Sequence, residues 1–375
     1  MVGKIRQNNF FWILIIGIIS VQLIAMIMQF SFDKSGYHID EIWQYTLSNA
    51  DEGYGVINDG VINDGNKKMN EWVSGSYFNG ALTVQPDEAF HFKNVWYNAA
   101  HDTKGPLGYV PLHLIGSFFQ NQYSTWQMFS LNLISFFVMM IFVCHIVLLL
   151  TKNRFLAMLV TTFFGFTTAA FAMTLFLRMY IFEAMLLVIY TYIILRFMQQ
   201  EKWIPSVIGV GIMVCLGGLT DYLFLSYAFF VTVSEMLYLL FQKKKKKLMA
   251  LAASSFAGVL AMIAIFPAAI AQMTDANGIS RVWGTPLKFS FQFRMMFSII
   301  TSELTGIHPD FYFNMTRYYV LWILIALLVI LFLLRFLFRK EPWLQHVRQK
   351  IKSWMKRMVV RCKSLSLQML IFFAA

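Results

Sequence analysis

The sequence predicts an all-α integral membrane protein, a polytopic helix bundle of about 8–9 spans with a large external first loop containing interfacial helices. Three observations predict it. The 375-residue chain is 58% hydrophobic and only 13% charged, which is more apolar surface than a water-soluble core of that length can bury. Apolar runs of about twenty residues recur, each long enough to cross roughly 30 Å of hydrocarbon as a helix. Finally, Lys and Arg gather in the connections that one of the two possible orientations places inside.

With the N-terminus cytoplasmic, segments 1–9, 151–154, 196–203, 242–247 and 335–363 hold about two thirds of the basic residues. The same segments contain two acids, Glu201 and Glu341. The opposite orientation inverts that bias. The net charge of +12 is therefore a topology signal, and no nucleic-acid partner is needed to account for it.

Taken in order, the first span covers 10–30, behind Lys4 and Arg6. It lacks a small-residue cleavage pattern and reads as a retained anchor. A long external segment, 31–127, follows; loops of this length are more often functional than mere connectors. It opens with Tyr37-His38-Ile39-Asp40-Glu41-Ile42-Trp43-Gln44-Tyr45, an adjacent acidic pair where a membrane helix returns to water. Residues 40–47 fit a short helix along the membrane surface. Acids in its first turn suit the helix dipole, and they equally suit a general base that deprotonates a hydroxyl. Spacing alone leaves both readings open.

The segment is also rich in Tyr, Trp, Asn and Asp, a composition that suits sugar binding and any aromatic-rich interface. Val56–Gly60 is repeated at once as Val61–Gly65, which reads as two turns. His101, Asp102 and Lys104 gather before a segment at 106–118 that is too short and polar to span. Asp102 and His101 are able to bind a metal or orient a base, and Lys104 to meet a phosphate.

Further spans are expected at 128–150, 155–176, 179–198, 204–220, 222–241, 248–272 and 319–338. Arg178, in Leu177-Arg178-Met179-Tyr180, lies at an external junction. An Arg at the edge of hydrocarbon is costly unless it meets an anion or cavity or snorkels to the headgroups. Its guanidinium matches a phosphate bidentately. Asp221 marks another external junction. Glu183 and Glu235 are the chief ionisable residues within spans. A second external segment runs from 273 to 318 and includes an incidental Asn314-Met315-Thr316 sequon.

Lys243–Lys247 reads as a positive-inside loop, with docking of anionic lipid headgroups as the alternative. Residues 342–363 carry an amphipathic basic pattern for a helix on the inner leaflet, and a ninth apolar run begins near Ser364. The organisation is thus a membrane module at 1–338 and a basic cytoplasmic segment with the start of a further span at 339–375. Cys144 and Cys215 fall in spans and Cys362 inside, so no disulfide framework forms. CxxC, HExxH and glycine-rich nucleotide-loop patterns are absent.

The Tyr37–Tyr45 segment resembles the first-loop motif of bacterial relatives of the protein mannosyltransferases. These are membrane glycosyltransferases of the GT-C fold that include the aminoarabinose and lipopolysaccharide-core branches. Three more segments agree in order. Asp102 to Tyr109 followed by His113 resembles an Asp-x-His-Pro-Pro-Leu-Tyr-Tyr element that ends in a His. Arg178-Met179-Tyr180 resembles an Arg-Met-Tyr element, and Gly218-Leu219-Thr220-Asp221-Tyr222 a Gly-Leu-Thr-His-Tyr element. The resemblance runs from about residue 10 to residue 240, and its first motif is the most specific. The chain departs from the pattern at Lys104-Gly105, which replaces His-Pro, at Gly108, which replaces a Tyr, and at Asp221, which replaces a His.

The resemblance implies transfer of a sugar from a polyprenyl-phosphate carrier, dolichyl or undecaprenyl, to a lipid, protein or cell-wall glycan acceptor outside a bacterial cell membrane. It makes Asp40 the base, with Glu41 beside it. Arg178 would hold the carrier phosphate, and Asp102, Lys104, Tyr109, His113, Tyr180 and Asp221 would complete substrate binding. No cofactor is required, and a divalent metal ion is left open. Family members commonly continue through more spans, so a fragment or a degenerate copy is also expected. The competing reading is a non-enzymatic membrane protein, either a lipid-linked glycan transporter or an inactive homologue.

Overall fold

The computed structural model describes residues 2–34, 36–51, 53 and 75–274. The tandem repeat at 56–65, most of the second external segment, the span at 319–338, the basic pattern at 342–363, Cys362 and the run from Ser364 lie outside the described residues. The described residues belong to one compact unit.

Among the described residues every regular element is helical. Five helices are long and apolar enough to cross a membrane, or six when one bent pair counts as a single span. The long helices are α1 (Val2–Asp33), α6 (Thr125–Thr151), α9 (Tyr180–Gln199), α11 (Tyr222–Phe241) and α12 (Lys245–Ile265). Their outward faces expose Ile13, Val21 and Ile24 of α1 and Met249, Phe256 and Leu260 of α12. Apolar faces of this extent belong against lipid. The protein is a membrane protein.

Three expected spans take a different form. The 155–176 run is two helices, α7 (Arg154–Gly165) and α8 (Thr168–Leu175), bent by 55°. The 204–220 run is a 15-residue helix, α10 (Ile204–Gly218), and at 1.5 Å per residue it is shorter than the bilayer's hydrocarbon. The 248–272 run ends at Ile265, and a short helix, α13 (Ala268–Thr274), follows Pro267. Hydropathy measures apolar length and is blind to such breaks.

Two buried amides stabilise the breaks. At the α7–α8 bend the Phe166 N–H turns to the Phe163 carbonyl, and the Thr162 carbonyl loses its normal helical donor. Gln22 of α1, wholly buried, donates Nε2 to the carbonyls of Thr161 at 3.1 Å and Thr162 at 3.2 Å. Gly165 leaves room for it, since a Cβ there would lie 2.4 Å from the Gln22 amide. At the end of α8, Asn132 of α6 donates Nδ2 to the carbonyls of Thr174 at 3.0 Å and Phe176 at 2.8 Å. Broken backbone in hydrocarbon requires such donors.

The other described elements cap one end of the bundle: α2 (Ile39–Asn49), α3 (Gly75–Leu82), α4 (Phe92–His101), a 3₁₀ turn (Pro106–Gly108) and α5 (Val110–Phe118). The helix expected over 40–47 is present as α2, but residues 44–50 are all buried. Its polar side chains bind neighbouring segments. Gln44 donates to the Gly108 carbonyl at 2.9 Å, Tyr45 to that of Ser124 at 2.9 Å and Asn49 to that of Leu82 at 2.8 Å. The 106–118 segment, expected not to span, becomes the 3₁₀ turn and α5.

Candidate functional site

The site is built where the start of α2, the loop after α4, the α8–α9 break and the α10–α11 junction come together. The first acidic pair divides into two environments. Glu41 is fully buried. It accepts from Lys34 Nζ at 2.5 Å, the His38 N–H at 3.0 Å and the Leu177 N–H at 2.9 Å. The His38 ring nitrogen Nδ1 in turn accepts from the Asp40 N–H at 3.2 Å, which completes a reciprocal capping box. One carboxylate therefore joins the end of α1, the start of α2 and the α8–α9 break. Asp40, by contrast, has a side chain 46% exposed, with His38 Nδ1 3.8 Å from its carboxylate.

Arg178 lies in the break between α8 and α9, and only 5% of it is exposed. It donates Nη1 to the Asp40 backbone carbonyl at 2.8 Å. Its Nε is buried without a hydrogen-bond acceptor among the described residues. The guanidinium also sits 5.7 Å from the Tyr180 ring centroid, and the Lys104 ammonium lies 4.9 Å from the same centroid. Both cations thus share one aromatic face region, and the Tyr180 ring is stacked on Phe176.

Lys104 forms an ion pair with Asp221, and both side chains are largely buried. Asp221 is also the N-cap of α11, accepting from the Leu223 N–H at 3.0 Å. Glu183, on the first turn of α9 and nearly buried, feels the charges of Asp221 and Lys104. Tyr109 is buried and donates its hydroxyl to Asp102 at 2.6 Å. Burial, helped by the Asp102 charge and opposed by Arg178, holds the Tyr109 hydroxyl well above the usual tyrosine range. Tyr109 therefore stays a proton donor and fixes the orientation of Asp102.

The departures Gly105 and Gly108 have a steric cause. A Cβ at residue 105 would lie 2.1 Å from the Leu219 carbonyl oxygen, and one at residue 108 would lie 1.9 Å from the Met179 sulfur. The loop is further pinned by the Leu107 N–H, which donates to the Leu219 carbonyl at 2.9 Å. This close approach carries Lys104 to Asp221.

The structure thus brings together Asp40, Glu41, Asp102, Lys104, Tyr109, Arg178, Tyr180 and Asp221. His113, one helical turn after Tyr109, directs its side chain to other partners. It is buried on α5, its Nδ1–H donates to the Ser48 carbonyl at 2.8 Å, and its ring packs edge-on to Phe92. Sequence reading did not single out Lys34, the partner of Glu41, or Gln272. The Gln272 amide donates to the carbonyls of Ala99 at 2.7 Å and Asp102 at 2.6 Å and accepts from the Tyr222 hydroxyl, so it ties α13 to the loop that carries Lys104. The Gln272 signal was a single amide at the end of an apolar run, and nothing local marked it.

Among the described residues no group of three or more His, Cys, Asp or Glu side chains is arranged to hold a metal ion, so no metal ligands are assigned. No family model, curated protein or solved structure matches the chain.

Proposed function

We propose that the chain is a membrane glycosyltransferase of GT-C type that moves a sugar from a polyprenyl-phosphate carrier to an acceptor on the external face of a bacterial cell membrane. The observation that carries this reading is the hydrogen bond from Arg178 to the Asp40 backbone. It joins the main chain of a half-exposed acid to a buried guanidinium whose Nε has no acceptor among the described residues. A buried cation of this kind is matched by an anion, and the exposed acid by a polar acceptor.

In the proposed reaction Asp40 takes the proton of an acceptor hydroxyl as its oxygen bonds to the anomeric carbon. The sugar–phosphate bond breaks, and its electron pair leaves with the carrier phosphate. Arg178 and Lys104 offset the charge that develops on that phosphate. Glu41 positions the start of α2, while Tyr109 orients Asp102. Tyr180 supports both cations. Lipid, protein and cell-wall glycan acceptors all suit this chemistry.

A second reading, a non-catalytic membrane protein of the same type, is favoured by one observation: Lys104 is already neutralised by Asp221. The two readings separate in one assay with a polyprenyl-phosphate-linked sugar. The enzyme reading expects transfer by the native chain and its loss in Asp40→Asn, with abundance and insertion unchanged. It also expects Arg178→Ala to weaken carrier binding more than acceptor binding. Transfer retained by Asp40→Asn would remove Asp40 as the base. If the native chain bound the carrier without transferring its sugar, the second reading would stand.

A further inference from the structure

A cavity of about 530 Å³ opens between the last turn of α9 and the first turn of α10. It is lined by Tyr192, Ile193, Arg196, Lys202, Ser206 and Gly209. Because α9 begins at the candidate site and its lining residues Tyr192 to Arg196 lie 12 to 16 residues further on, this cleft lies about 20 Å away, toward the opposite end of the bundle. It shares no residue with that site, and its argument does not depend on the proposed reaction.

The cleft has two chemically distinct parts. Its mouth carries Arg196 and Lys202, with Glu201 as the acid among the lining residues. The Arg196 guanidinium is held in plane by the Gln200 amide, whose oxygen, in the orientation that satisfies both groups, accepts from Nε at 2.9 Å and Nη2 at 3.0 Å. The Arg196 head also stacks over the Tyr192 ring at 5.7 Å. Next to the cleft, Lys247 Nζ donates to the carbonyls of Phe197 and Gln200, each at 2.9 Å. That places the lysine run at the same membrane end. The floor is apolar and narrow, since even a Cβ at Gly209 would lie 3.3 Å from Ile193. Next in sequence to the lining residues Pro205 and Gly209, Ile204 and Ile208 of α10 are exposed, so apolar surface adjoins the cleft.

A fixed guanidinium and an ammonium at a helix end, above an apolar groove with apolar surface beside it, match an amphiphilic anion. We infer that this cleft binds the headgroup of one anionic phospholipid, with its phosphodiester on Arg196 and Lys202 and an acyl chain along Ile193 and Gly209. A free phosphate would satisfy the mouth alone and leave the groove unused. The exposed lysines add a diffuse field, but the cleft adds a defined seat.

The test uses the purified full chain in detergent, equilibrated with mixtures of phosphatidylglycerol and phosphatidylcholine, with retained lipid read by native mass spectrometry. One phosphatidylglycerol per chain is expected, retained over phosphatidylcholine at low salt and still present when ionic strength screens the surface lysines. R196Q/K202Q should lower that retention about tenfold, and R196K, which keeps the charge but not the planar fork, about threefold. K244Q/K245Q, on the same rim but outside the cleft, should leave it unchanged. Monodisperse elution and unchanged circular dichroism identify folded variants. Equal loss in both double variants, wild-type retention by both R196Q/K202Q and R196K, or displacement of the lipid by millimolar inorganic phosphate would each overturn the inference.

Discussion

The two adjacent carboxylates at 40 and 41 should respond oppositely to the same isosteric change. Glu41 is buried and accepts three hydrogen bonds, one from an ammonium. In Glu41→Gln the single amide oxygen serves at most two of those donors, and the new NH₂ group faces donors where a carboxylate oxygen stood. A hydrogen bond to a buried charge contributes about 1.5–3 kcal/mol, and breaking a buried ion pair costs about 3–5 kcal/mol. The expected loss of stability is therefore about 3 kcal/mol. Asp40 has only a loose contact, 3.8 Å, with the half-exposed His38. Such a pair contributes under about 0.5 kcal/mol, so Asp40→Asn should unfold with the native protein while its transfer rate falls at least about a hundredfold. Unfolding in mild detergent, followed by tryptophan fluorescence, reads the first effect. The initial rate of sugar transfer from a polyprenyl-phosphate donor reads the second. Equal destabilisation by both variants, or native stability in Glu41→Gln, would refute the division of labour between them.

Four more outcomes are expected. Burial outweighs the Ser48 hydrogen bond and lowers the proton affinity of His113; the unfolded chain then binds that proton more readily, so stability should fall as pH drops below about 6.5. His113→Gln should flatten that dependence in pH-resolved unfolding curves. Gln22→Leu and Asn132→Leu should each cost about 1–2 kcal/mol by leaving helix-break carbonyls unpaired, and Asn132→Leu should also slow transfer, because it loosens the segment that ends at Arg178. Gly105→Ala should break the Leu107–Leu219 hydrogen bond and cost about 2 kcal/mol, measured by the same unfolding assay. In a double-mutant cycle on carrier binding, Lys104→Met and Asp221→Asn should couple by more than about 0.5 kcal/mol; strict additivity would mean that the ion pair plays no part in that step.

The membrane class was legible because it rests on composition and run length, which need no knowledge of contacts. Asp40, Arg178 and Asp221 were legible as charged residues at the ends of apolar runs, and the structure brings them together through segments far apart in sequence. What Glu41 does was not legible, because its partner at Leu177 is 136 residues away and a local reading sees only a first-turn acid. The bend near Phe166-Thr167 was equally hidden. No proline marks it, and its stabilising donor, Gln22, is 139 residues from the Thr161 acceptor. The close approach at Gly105 appeared in the sequence only as a departure from the motif that the segment resembles, and the Leu219 carbonyl gives it a cause.

The amides of Gln22 and Asn132 also imply an order of assembly. Before α1 and α6 are in place, residues 154–175 have no outside donors for the carbonyls that a bend exposes, and lipid supplies none. In isolation, then, this segment should satisfy its own backbone as one straight helix across the bilayer. The 55° bend is acquired when it docks against its neighbours, so Arg178 reaches its final place only after the surrounding helices have assembled.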